Sequence, residues 1–170
     1  MKVAEWTRAP AWLAGPYKLR YGSVGDLMDF EAFSPDRKLT LCLKAEEVCL
    51  RRIRDIKRMA DPGDPALHHL LREIESGELA QLSQVAKLGK PTGLHDVEVE
   101  SYFPSTRERL GEAPLSRDSA MYYVERLKEE ASHFFQKMAQ VAADDRARAI
   151  LTQIALGELG QVAQLRTVLL

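Results

Sequence analysis

The sequence predicts an all-α fold: a four-helix bundle made of two antiparallel helical hairpins joined by a long crossover. Three observations lead there. Four long stretches repeat apolar residues at three- and four-residue spacing. Short breaks rich in Pro, Gly and Asp separate the stretches within each pair, whereas residues 89–115 separate the pairs. Finally, SGELAQL at 76–82 recurs as LGELGQV at 156–162, in the middle of the second and fourth stretches.

Each element has its own signals. Residues 1–33 hold both tryptophans and no sustained period, so they form an N-terminal arm. Ser23 to Phe33 could make a short amphipathic helix, led by a Ser23/Asp26 cap and packed on the bundle or a second subunit; a loosely ordered arm is the alternative. Residues 34–170 are the bundle domain. Ser34-Pro35-Asp36 starts the first helix with a capping hydroxyl, proline at the first position and an acid in the first turn. It runs over 36–60, until DPGDP at 61–65 stops it. Asp64-Pro65 starts the second helix, over 65–88, which ends before Gly89-Lys90-Pro91. Ser116 caps a third helix over 117–142, and Asp144 and Asp145 open a fourth over 145–168. The crossover is long enough to travel the length of the bundle, with a short helical turn expected at 105–110.

Whole-chain properties exclude several functions. Lys plus Arg number 24 against 25 for Asp plus Glu, so no global field draws the chain to nucleic acid. No secretory leader pattern and no apolar run of membrane-spanning length occur, so neither export nor a membrane is expected. Cys42 and Cys49 on one helix would lie about 10 Å apart along its axis, too far to bridge. They read as buried thiols of a reducing compartment, which places the protein in the cytoplasm.

The inward stripes carry the chemistry. The first helix presents Leu39, Cys42, Glu46, Cys49, Ile53, Ile56 and Ala60; the second Leu67, Leu71, Ile74, Glu78, Gln81, Val85 and Leu88. The third presents Met121, Val124, Lys128, Ala131, Phe135, Met138 and Ala142; the fourth Ala147, Leu151, Ile154, Glu158, Gln161, Leu165 and Val168. A polar residue interrupts every stripe near its middle. Antiparallel pairing brings mid-helix positions to one level, so Glu46, Glu78, Lys128 and Glu158 should meet in one internal layer. Buried charges must be paired or bind metal.

With these residues in place, the chain from about 36 to 168 resembles the rubrerythrin-type branch of the ferritin-like superfamily. In that family two helices each give a Glu and two each give a Glu-x-x-His pair, which hold two irons that reduce peroxide or oxygen. The resemblance implies that Glu46 is the first-helix acid and that Glu78 and Glu158 are the acids of the two pairs. Leu71/Leu151, Ile74/Ile154, Gly77/Gly157, Leu79/Leu159 and Gln84/Gln164 also agree between the halves. Both family histidines are replaced, by Gln81 and Gln161, whose carbonyl oxygens are weaker ligands for iron. The third-helix acid is replaced by Lys128, with Glu129 and Glu130 as register alternatives about 100° and 200° around the helix. Three carboxylates and one ammonium leave a formal −2, enough for one divalent ion rather than two. Lys128 would then serve as the internal cation, with Gln81 and Gln161 hydrogen-bonding the carboxylates.

Other candidates are weaker. His68 and His69 fall near a helix end and read as surface residues, His133 reads as a packing residue beside Phe134 and Phe135, and His95 with Asp96 lies in the crossover. No Cys-x-x-Cys pair exists, so no rubredoxin domain is expected, and neither haem nor a nucleotide. LRRIRDIKRM at 50–59 reads as a solvated basic face. Three functions follow. The first is a homodimeric, non-catalytic bundle with a degenerate di-iron site and weak or no binding of iron or another divalent metal. The second is a di-iron oxidoreductase with a Gln-containing site. The third is a single-metal binding or sensing protein.

Overall fold

A computed structural model describes residues 30–93 and 98–168. The proposed helix within 23–33 and the His95–Asp96 pair therefore lie largely outside the described residues. Four α-helices appear, with no strand among the described residues: α1 Pro35–Met59, α2 Pro65–Ala86, α3 Arg117–Gln140 and α4 Asp145–Val168. No described helix is long and apolar enough to cross a membrane.

The starts are where local chemistry puts them. Ser34 Oγ accepts from Arg37 N at 3.2 Å, Asp64 Oδ1 from Leu67 N at 3.0 Å, Ser116 Oγ from Ser119 N at 3.2 Å and Asp144 Oδ1 from Ala147 N at 2.7 Å. Three helices stop slightly early. Ala60 leaves α1 in an extended conformation and bridges Leu115: Leu115 N donates to Met59 O, and Asp61 N to Leu115 O at 3.0 Å. Past α2, Gly89 takes φ +134°, a conformation that disfavours any side chain. Helix α3 ends at Gln140 rather than Ala142.

Connections set the directions. The Met59–Leu115 contact puts the end of α1 beside the start of α3, and Arg117 forks onto the Asp64 carboxylate at the same end. At the opposite end Lys38 Nζ donates to Val141 O at 3.0 Å, and Asp36 accepts from Thr92 N and Gly93 N. So α1 and α4 run one way, α2 and α3 the other. Helix α1 packs on α2 and α3, while α4 packs on α3 and α2.

The crossover is held in two 3-10 turns, Glu100–Tyr102 and Pro104–Thr106, instead of one turn at 105–110. Buried Arg52 reaches this stretch from α1. Its Nη2 donates at 2.8 Å to both Ser105 O and Glu108 O, which fastens the crossover to the helix. Arg52 is thus no part of a solvated basic face. Phe30, from a third 3-10 turn at Phe30–Ala32, packs with Tyr102 and Phe134 on the crossover side of α3.

All four stripes point inward. Cys42, Cys49, Ile53 and Ile56 of α1 are buried, as are Leu67, Leu71, Ile74 and Val85 of α2. Met121, Val124, Ala131, Phe135 and Met138 of α3 join Leu151, Ile154 and Leu165 of α4. Burying a side chain of the Leu, Ile or Phe type is worth roughly 1.5–3 kcal/mol, so these stripes supply the main favourable term of folding.

Candidate metal centre

Glu46, Glu78 and Glu158 are completely buried, and Lys128 is 1% exposed. All four meet at mid-bundle. One carboxylate oxygen from each Glu lies within 4.8 Å of the other two, so the triad could hold a metal ion. Lys128 Nζ pairs with Glu78 Oε1 and lies 2.8 Å from Glu158 Oε2. Glu46 is the odd member. No hydrogen bond reaches either of its oxygens, and Lys128 acts on it only as a nearby charge.

The electrostatics follow from burial. Loss of water pushes the Glu46 carboxyl well above its ordinary range; the Glu158 charge adds to this, and Lys128 opposes it. Burial also raises Glu158, against the pull of Lys128 and a hydrogen bond from Gln81. Cys42 and Cys49 sit one turn either side of Glu46. Burial first, then the Glu46 charge, drives both thiols upward, so they stay protonated.

The recurring Gly-Glu-x-x-Gln phrase has a packing reason. A methyl group on Gly77 would fall 2.5 Å from Gln161 Nε2, and one on Gly157 would fall 3.3 Å from Gln81 Nε2. Each glycine thus makes room for the glutamine of the other half, across the α2–α4 seam. Gln81 and Gln161 are half-buried, and their Oε1 atoms are buried without a hydrogen bond.

The register alternatives do not join the layer. With Lys128 inward, Glu129 turns to the flank, where its Oε1 lies 3.2 Å from Arg166 Nη2. Glu130 faces the crossover. Ser105 N donates to its two oxygens at 3.1 and 3.3 Å, and Ser105 Oγ to Oε2 at 2.5 Å. His133, expected to pack beside the aromatics, is exposed because Phe134 and Phe135 take the inward positions. His68 ties Asp61 O at 3.1 Å, and His69 pairs with Glu73 at the surface. No described imidazole reaches the layer.

Sequence reasoning missed the cluster of Arg52, Ser105, Glu130, Arg126 and Glu108. Arg52 and Glu130 are flank residues on a helical wheel, and their partners in the crossover lie far away in sequence. No local signal marks such a meeting.

These residues do not fit two irons. The donor set has three carboxylates instead of four and amides instead of imidazoles. An ammonium also sits against two of the acids. Compared with known protein families, characterised proteins and solved structures, the chain matches none.

Proposed function

We propose that this protein is a ferritin-like, rubrerythrin-related bundle in which a lysine has replaced iron as the internal cation. It does not catalyse redox chemistry; it acts as a structural or interacting subunit, as a homodimer in a reducing compartment. The observation that carries this reading is the pairing of buried Lys128 with both Glu78 and Glu158. Its ammonium supplies charge where metal would otherwise be needed, and repels an approaching dication. Gln81 and Gln161 support the same reading, since neither offers the nitrogen ligand that iron favours.

Anaerobic Fe(II) titration tests the proposal. The parent should not take up two irons per chain and should show no peroxide or oxygen turnover. A triple variant, Gln81→His, Gln161→His and Lys128→Glu, changes the formal charge of the layer from −2 to −4. It should bind about two Fe(II) per chain, because the scaffold and not the metal supplies the folding energy. Two irons with turnover in the parent would restore the oxidoreductase reading. Equal, negligible uptake by both proteins would mean that the side chains do not converge as a ligand set.

A further inference from the structure

Three sides of the four-helix bundle are charged or covered. The crossover lies over the α1–α3 side, where Arg52 and Glu130 fasten it. The α1–α2 side carries Arg54 and Lys57 on Glu75, and the α3–α4 side carries Arg166 on Glu125 and Glu129. The α2–α4 side differs. From Ser76 to Ala86 and from Ala149 to Leu165 the only charged residues are Glu78 and Glu158, both buried, in a chain that is 29% charged. At three- and four-residue steps from Gly77 and Gly157, this side continues through Ala80, Gln84 and Gln164, all exposed. Loss of charge from the middle of an exposed surface is the compositional mark of an interface core.

We propose that a second copy of this chain docks on the α2–α4 side, about a two-fold axis that crosses the helices at Ala80, so that α2 meets α2 antiparallel. The proposal rests on the homodimer of the reading above and assigns its surface. Charge selects the orientation. Exposed Glu73 stands at one end of the side; exposed Lys87 and Arg146 stand at the other, where Arg146 Nη2 donates to Lys87 O at 3.3 Å. Glu73 lies seven residues before Ala80 and Lys87 seven after it. An antiparallel pair therefore sets Glu73 of each copy against Lys87 of the other, whereas a parallel pair would set lysine against lysine. Area supports the same occupant. The neutral stretch of α4 is about 25 Å long and two helices abreast are about 20 Å wide, so each copy offers about 500 Å² and the pair about 1,000 Å², the lower bound for a specific interface. Gly77, Ala80 and Gly157 keep the surface low, which lets the facing helices approach closely.

Sedimentation of the full chain over a concentration series tests the proposal. The parent should be a dimer. Ala80→Arg should raise the dissociation constant about a hundredfold or more, because the axis sets each new guanidinium against its own copy. Thr152→Arg, in the groove that Thr152 lines with Gln136 on the α3–α4 side, should leave association unchanged. Glu73→Lys should weaken the dimer about tenfold, and adding Lys87→Glu should restore it, an exchange that only the antiparallel docking explains. A dimer untouched by Ala80→Arg, or broken by Thr152→Arg, overturns the assigned surface while keeping the homodimer. A charge exchange that does not restore association overturns it as well. A monomeric parent removes both the surface and the homodimer and leaves the Lys128 pairing untouched. Two Fe(II) with turnover in a parent dimer that Ala80→Arg breaks would instead sink the redox-silent reading and spare the surface.

Discussion

Two buried charge clusters lie on opposite flanks of α3, and they are built differently. At the crossover, Glu130 receives hydrogen bonds from the Ser105 backbone and hydroxyl, and Arg52 spends its guanidinium on two carbonyls. The Glu130 carboxylate oxygens and the Arg52 Nη2 there have protein partners. At mid-bundle, Glu46 has none, and Glu78 and Glu158 share a single ammonium. A cluster that only fastens a segment is saturated by protein groups. At mid-bundle the shortage of donors is met by burial, which raises the Glu46 and Glu158 carboxyls, and by the single Lys128 ammonium.

The largest effect should come from removing the one cation of the unsaturated cluster. Lys128→Met keeps the length of the side chain but leaves Glu78 and Glu158 buried without a counter-charge, which should cost about 3–5 kcal/mol. Denaturant unfolding at neutral pH measures it; an unchanged midpoint would mean that Lys128 does not hold the layer.

The saturated cluster is sharpened by pH. Burial raises Glu130 from 4.5 to about 7, although the Ser105 hydrogen bonds and Arg126 oppose it. Because the folded value lies above the unfolded one, the folded chain binds more protons between them. The stability from this group is complete below about pH 4.5 and is lost as pH rises through about 7, by about 3 kcal/mol at most. Glu130→Gln is neutral throughout, so the parent-minus-variant stability should fall across that window. A flat difference would place Glu130 in water.

The smallest effects lie along the α2–α4 seam. Nothing stands within 4 Å of a methyl group built on Gly160, so Gly160→Ala should stabilise α4 by up to about 1 kcal/mol. Gly77→Ala should return less, because its methyl must displace the Gln161 amide. Equal gains in urea midpoints would show that the Gly77–Gln161 contact does not constrain the seam.

The sequence by itself determined the four helices, their starts and the direction of their stripes. Caps act within three residues and periodicity within two turns, so both are local properties of the chain. For the same reason Glu46, Glu78, Lys128 and Glu158 were legible as one inward layer: each stands at the centre of an otherwise apolar stripe. Tertiary structure alone decided the rest. A wheel puts Arg52, Glu129, Glu130 and His133 on flanks, and only the neighbouring element settles whether a flank meets water, an arginine or the crossover. It also settled that Lys128 pairs with Glu78 and Glu158 and leaves Glu46 alone, and that Gly77 and Gly157 are small for the sake of the other half's glutamine. Those outcomes depend on how far one helix lies from the next, a distance that no local pattern of residues encodes.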